Sequence, residues 1–424
     1  MKTLPYWWDA VSWQSAQPQE IPARIDAAII GAGYSGLSAA LVLARAGLRV
    51  VVFEAGELGA GASSRNGGMV GPSFHKLGVA GLRAKFGTKI SNDILRESAG
   101  FVDYLAGFLQ RENIEADFKR TGRFLGARRP AHYQQMARML EDLQNSCAVS
   151  GHMVAKERVH EEIGSDLFCG GVVFDGDGGL DPAKYLAGLA AKVRAAGGLI
   201  FTRTPVEMVE KTAAGFALKT PVGQINAERV AICTNGHTGR QFKQFRRRVI
   251  PIRSAMIATR ELPQEMMTKL LPRGRMHGDS SRVFPYYRAS PDGKRILLGG
   301  RASAADDPGE NARQLRRIML EVFPDLSEVK ISHVWSGLVA YSFDHAPHIG
   351  QRDGLYYAMG YCGSGVSRAS YFGNKLGHKM LDQEEKGRTA FDKLEFPGHA
   401  FYSGNPWFMP AVMGWYRMLD RLGL

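Results

Sequence analysis

The sequence predicts an α/β fold: a Rossmann-like domain on a parallel sheet, with an α+β domain inserted into it whose sheet is mostly antiparallel. Three observations predict it. Within residues 25–54 a buried-strand run, a glycine turn, an Ala/Leu-rich helical stretch and a second apolar strand follow one another, which is a βαβ unit. Strand–helix units recur in the middle and at the end of the chain, with amphipathic helices and turn-punctuated strands between them. Finally, 424 residues exceed what one undivided hydrophobic core usually serves.

In order along the chain, residues 1–24 form a Trp/Pro/Gln-rich lead without periodicity. Ile25–Ile30 reads as a strand, Leu37–Ala46 as a helix closed by Gly47, and Leu48–Phe53 as the second strand ending at Glu54. Residues 88–112 and 132–150 read as helices flanking a strand around Arg123-Phe124-Leu125. Asp181-Pro182 is an N-cap followed by proline at the first helical position, so a helix should run from there to Ala196. Strands are expected at Leu199–Thr202, Val206–Val209 and Val230–Cys233, and strand-like pieces through 249–301. A helix is expected at 308–323, then a strand at Leu355–Met359, a glycine loop from Gly360 to Gly365 and a helix to about Leu381. The first domain is therefore expected to comprise residues 25–87, 172–240 and 331–390, and the inserted domain 88–171 and 241–330. Residues 391–424 form a C-terminal arm rich in aromatic residues.

Composition narrows the function. Hydrophobic residues at 45% and charged residues at 22% exclude a disordered or fibrous chain. The four cysteines, Cys147, Cys169, Cys233 and Cys362, form no Cys-x-x-Cys pair, so neither a zinc site nor a disulfide scaffold is expected, and no metal is assigned. The N-terminus carries no apolar signal region, and the longest apolar stretch, Ile25–Phe53, is interrupted by Asp26, Arg45, Arg49 and glycines as a membrane helix would not be, which points to the cytoplasm. The net charge of +13 is compatible with nucleic acid, anionic lipid or an acidic small molecule as partner. Arg246-Arg247-Arg248 reads as a solvated loop, and no aromatic-plus-basic nucleic-acid platform accompanies it.

The chemistry lies first in Gly31-Ala32-Gly33-Tyr34-Ser35-Gly36. Gly31 permits a tight turn, Gly33 lets backbone approach a pyrophosphate, and Gly36 lets helix and strand pack closely. The diphosphate would then meet free amides at the positive end of the helix. Glu54, with Ala55 after it, stands where a carboxylate can accept hydrogen bonds from ribose hydroxyls, which disfavours a 2′-phosphate.

Further segments supply the nature of the nucleotide. Gly61-Ala62-Ser63-Ser64-Arg65-Asn66-Gly67-Gly68-Met69, Gly179-Leu180-Asp181-Pro182, Val206, Thr234-Asn235-Gly236, Trp335-Ser336-Gly337 and Gly360-Tyr361-Cys362-Gly363-Ser364-Gly365 occur in that order. Over residues 25–385 this pattern resembles the D-amino-acid-oxidase-like (DAO) superfamily of FAD-dependent oxidoreductases, most closely its γ-glutamylputrescine oxidase, sarcosine oxidase and glycine oxidase branch. The resemblance implies FAD, wrapped by Ala62 to Met69, with the backbone of Val206 at the adenine. Thr234-Asn235-Gly236 would lie near the dinucleotide, and Gly360, Cys362, Gly363, Ser364, Gly365 and Val366 close to the flavin, whose tip would lie beneath this late turn. Amides at the late glycine turn, aimed at the flavin pyrimidine edge, would stabilise negative charge there as flavin is reduced.

Departures matter. Relatives with histidyl-linked flavin carry His in the loop that here offers Arg65, and the cysteine of monomeric sarcosine oxidases has no counterpart between Trp335 and Asp344, so FAD is expected to be non-covalent. Cys362 reads as an apolar filler. The arginine that holds substrate carboxylate in glycine oxidases falls at Gly363, which leaves Arg65, Arg301 or Arg368 as candidates. Tyr286 and Tyr287 alternate on one strand, so one of them should face the pocket, and Trp335 is a candidate wall. No catalytic acid or base is assigned.

The lysine that promotes oxygen reaction in sarcosine oxidases falls at Leu297, which leaves oxygen, a quinone or a carrier protein open as electron acceptor. The expected activity is oxidation of the C–N bond of an amine or amino acid, acidic or zwitterionic and of the secondary-amine or γ-glutamyl-amine kind. Hydride passes to flavin N5 and the imine is hydrolysed. Oxidation of a 2-hydroxy acid and an RNA-associated flavoprotein are the alternatives.

Overall fold

The computed structural model describes residues 1–13, 20–72 and 77–422. Residues 14–19 of the lead, 73–76 of the first expected domain and 423–424 of the arm lie outside the described residues. The first sheet is built around Arg24–Ile30, which runs parallel between Val50–Phe53 and Gly223–Ile232. Leu199–Phe201 and Leu355–Met359 extend the parallel order on either side. His348–Arg352 closes one edge antiparallel, and the hairpin Met208–Thr212/Gly215–Thr220 hangs from the Gly223–Ile232 strand.

The fingerprint helix, Tyr34–Arg45, packs against the helices Pro182–Ala195 and Gly365–Met380. Its contact with the latter is close because Gly373 has no side chain: a Cβ there would lie 2.2 Å from the Ser35 carbonyl oxygen. Asp181 caps the middle helix as its position before Pro182 predicts, accepting from the amides of Ala183 and Lys184 at 2.9 and 3.0 Å.

The second sheet runs in the order Ile331–Ser342, Val249–Thr259, Ile296–Arg301, Tyr286–Ala289, Met276–Asp279, Arg123–Gly126, Gly170–Phe174, Gly151–Ala155. All neighbours are antiparallel except Met276–Asp279 with Arg123–Gly126. One face buries Leu298, Ile257 and Tyr287 against Leu315, Met319 and Val322 of the helix Pro308–Val322 and against Phe323, which follows it. The other face packs Met256, Leu297 and Trp335 with Trp7 and Ala183 and brings Tyr286 against Gly67.

Four expectations are corrected. The strand placed at Val206–Val209 is Met208–Thr212, because Val206 lies in the loop that crosses the end of the first sheet. The helix placed at 88–112 is two, Gly78–Ala99 and Phe101–Arg111, separated at Gly100 and with Gly87 at φ +75° inside the first. Ile331–Ser342, expected in the first domain, pairs along its length with Val249–Thr259 of the second sheet, and Gly170–Phe174 likewise belongs to that sheet. The N-terminal lead, in which the lack of periodicity signalled no element, carries a 3₁₀ turn, Tyr6–Ala10, whose Trp7 is fully buried.

Candidate active site

The fingerprint builds the cradle that its glycines imply. Gly31 sits at φ +107° and a Cβ there would lie 2.9 Å from the Cys233 oxygen; a Cβ on Gly36 would lie 2.0 Å from the Gly31 oxygen. The helix that follows has no side-chain cap at Gly33, although Ser63 Oγ accepts from the Tyr34 amide at 3.1 Å. Glu54 Oε2 accepts from the Ala32 amide and Oε1 from the Gly56 amide, both at 3.0 Å, so backbone amides fix the orientation of the carboxylate.

A cavity of about 470 Å³ runs along this cradle. Gly31, Gly33, Tyr34, Ser35, Glu54, Ala55, Ala62, Ser63 and Asn66 line it on one side, and Val206, Thr234, Asn235 and Gly236 on the other. It ends at Gly363, Gly365 and Val366, where the helix Gly365–Met380 starts without a side-chain cap, leaving amides directed at the far end. Asn235 Oδ1 accepts from the Gly360 amide at 2.9 Å and so ties the two glycine turns together. A glycine-lined groove with an oriented carboxylate at one end and an uncapped helix N-terminus at the other fits an extended dinucleotide such as FAD.

A second cavity of about 620 Å³ adjoins the first, sharing Ala62, Asn66, Leu338, Val339, Gly363 and Val366 with it. Gly67, Met69 and Ser364 line it as well. Its far wall is the second sheet, including Ser254, Tyr286 and Arg301, and the C-terminal helix Met409–Leu422 supplies Met409, Val412 and Met413 at its edge. Arg65, Arg123, Arg253, Arg282 and Arg301 line this cavity, and among its described lining residues there is no carboxylate.

The candidates divide clearly. Tyr286 faces the cavity while Tyr287 is buried on the opposite face, stacked on His277 at 5.5 Å, as strand alternation requires. Arg65 is on the wall, but its Nε donates to the Ala60 carbonyl (2.9 Å) and its Nη1 to that of Ser336 (3.1 Å), which makes it a clamp between the loop at residues 60–69 and the second sheet.

Several expected residues line neither cavity. Ser64 turns inward and donates to the Gly59 carbonyl at 2.5 Å. Gly68 is spent on loop packing, its carbonyl accepting from the Leu180 amide (2.8 Å) and from Arg288 Nη1 (3.1 Å). Trp335 packs edge-on against Trp7 and donates to the Arg65 carbonyl at 2.8 Å. Gly360 provides the turn, at φ +83°. Cys362 Sγ points to the Gly360 carbonyl at 3.1 Å, where burial pushes its thiol up. Arg368 lies behind the late turn, Nη2 donating to the Pro72 carbonyl at 2.8 Å and the guanidinium over the Phe101 ring.

Sequence reasoning missed the supports. Trp7 Nε1 donates to the Asn66 carbonyl and Trp8 Nε1 to Ser64 Oγ, both at 2.9 Å, and Arg288, buried and lowered to about 10 by that burial, binds the carbonyls of Gly68 and Leu180. A Trp-Trp pair in an aperiodic lead was the available signal. Ser254, Arg253 and Tyr341 were missed because nothing local distinguishes them from ordinary strand residues.

The chain belongs to the FAD-dependent oxidoreductase (DAO) family, whose model matches residues 26–378. It is an FAD-dependent oxidoreductase. It is 30% identical to the probable oxidoreductase OrdL of Rhizobium meliloti (strain 1021), over 97% of both chains. It is 27% identical to the γ-glutamylputrescine oxidoreductase of Escherichia coli (strain K12), over 94% of this chain and 93% of that one. In fold it is similar to glycine oxidase from Geobacillus kaustophilus, with a TM-score of 0.72 and 21% identity over 89% of this chain and 99% of the other.

Proposed function

We propose that this enzyme oxidises the C–N bond of an acidic or zwitterionic amine or amino acid, with FAD held non-covalently. The observation that carries this reading is the second cavity, which opens onto the dinucleotide groove at Gly363 and Val366 and whose described lining has five arginines and no carboxylate. Bound FAD supplies a two-electron acceptor for the hydride on the carbon next to nitrogen, and water hydrolyses the imine to a carbonyl compound and an amine. Arg123 is paired with Asp177, Arg253 with Asp306, and Arg65 is held by backbone carbonyls. The wall still carries more arginines than carboxylates, and that excess attracts carboxylate groups of the substrate and disfavours its ammonium form, so the neutral amine that can give up hydride is favoured. Amides at Gly363, Gly365 and Val366 stabilise negative charge developing at the end of the groove. Cys362 Sγ, directed at the Gly360 carbonyl, supports non-covalent attachment.

The similarity to γ-glutamylputrescine oxidoreductase and to glycine oxidase supports an amine nitrogen in the substrate. The test is anaerobic mixing of the yellow protein with acidic secondary amines, γ-glutamyl amines, neutral amines and 2-hydroxy acids. Bleaching by acidic or γ-glutamyl amines is expected, and bleaching by hydroxy acids alone overturns the reading. Acid precipitation should leave the flavin in the supernatant. Peroxide release on readmitting air identifies oxygen as the acceptor, and its absence points to a quinone or carrier.

A further inference from the structure

We infer that Tyr286 is a hydrogen-bond acceptor fixed for the substrate N–H, and that it makes the enzyme prefer amines that retain an N–H over their fully substituted counterparts. The inference rests on the amine reading above and deepens it.

Tyr286 has no room to turn aside. Its cross-strand partner is Gly299, where a Cβ would lie 2.2 Å from the ring, and Gly67 of the Ala62–Met69 loop meets the ring's other side, with a Cβ there 2.9 Å from it. Two glycines therefore hold one ring between the cofactor loop and the second sheet.

The hydroxyl's polarity follows from counting protons. Ser254 Oγ donates to the Gly300 carbonyl at 2.7 Å, and a hydroxyl has one proton to give. In the 3.0 Å contact between Ser254 Oγ and Tyr286 Oη, serine must then accept and tyrosine must donate. Tyr286 Oη presents only lone pairs to the cavity.

Burial pushes the tyrosine up to about 12, so it stays a neutral phenol and takes no proton from substrate at ordinary pH. The five arginines of the same cavity can only donate, and among the described residues no carboxylate lines it. In a donor-rich cavity, carboxylates belong at the arginines, and an N–H is complementary to Tyr286. A methyl in place of that hydrogen would leave the lone pairs of Oη facing carbon.

The experiment uses the full-length, FAD-loaded enzyme, with an acidic secondary amine, its N-methyl tertiary analogue and its ether isostere, in which oxygen replaces N–H. Tyr286→Phe is expected to lower kcat/KM about ten-fold for the secondary amine and to leave the tertiary amine unchanged. Ser254→Ala removes the acceptor that holds the tyrosine proton, so Tyr286 becomes able to donate and the variant should bind the ether at least several-fold more tightly than wild type does. Ether binding is read from the perturbed absorbance of bound flavin and needs no turnover. Equal losses for both amines in Tyr286→Phe, or unchanged ether affinity in Ser254→Ala, overturn the inference. If no amine reduces the wild-type flavin, the amine reading itself has failed, and ether binding still decides the polarity of Tyr286.

Discussion

His277 is fully buried between Phe124 and Tyr287, and neither ring nitrogen has a hydrogen-bond partner. Burial lowers it from 6.5 to about 3, so the folded protein keeps it neutral. As pH falls below 6.5 the unfolded chain takes up a proton that the folded chain refuses. Stability is therefore complete above that pH and declines towards pH 3, by at most about 1.4 kcal/mol per unit from this group. His277→Leu should flatten the acid slope of the thermal unfolding midpoint between pH 6.5 and 4.5, and parallel slopes would show that His277 does not carry it. At the same scale, Gly31, Gly33 and Gly36 were legible because each answers to a local constraint within a few residues. The inward turn of Ser64 was not, since its partners come from Gly59 and from Trp8 in the lead.

The 3₁₀ turn Tyr6–Ala10 reaches the cofactor loop from a part of the chain with no periodic pattern. Trp7 is fully buried, donates to the Asn66 carbonyl, packs on Trp335 and lies beneath the Arg288 guanidinium. Trp7→Ala should cost about 3–5 kcal/mol and loosen the loop Ala62–Met69. A measurable fall in flavin retention on gel filtration, together with a lower unfolding midpoint, is the expected outcome. Retention equal to wild type would mean that the loop stands without this support. The C-terminal helix shows the same limit. Its aromatic content was legible, but its place at the edge of the arginine-lined cavity depends on how the arm returns across the molecule.

Across the molecule, the proposed reaction site is the space between two sheets that the chain visits alternately. Strand Ile331–Ser342 illustrates this, because it belongs to the second sheet yet leads directly into the last βα unit of the first. The net charge of +13 and the arginine wall act together on approach. For an anionic substrate kcat/KM should fall several-fold between low and physiological ionic strength, while for a neutral amine it should stay level. A flat profile for both would mean that charge plays no part in capture.

The amino-acid sequence alone determined the parallel α/β framework and its glycine turns, because glycine turns, N-caps and apolar runs act over a few residues and leave their spacing in the chain, while FAD as the cofactor followed from the resemblance to the family. Only tertiary structure decided which face of the second sheet meets the groove. It also decided that Trp335, Arg368 and Cys362 turn away, and that the proton of Tyr286 belongs to Ser254. Those outcomes depend on contacts between residues tens to hundreds of positions apart, and close packing and hydrogen-bond counting settle them only after the segments have met.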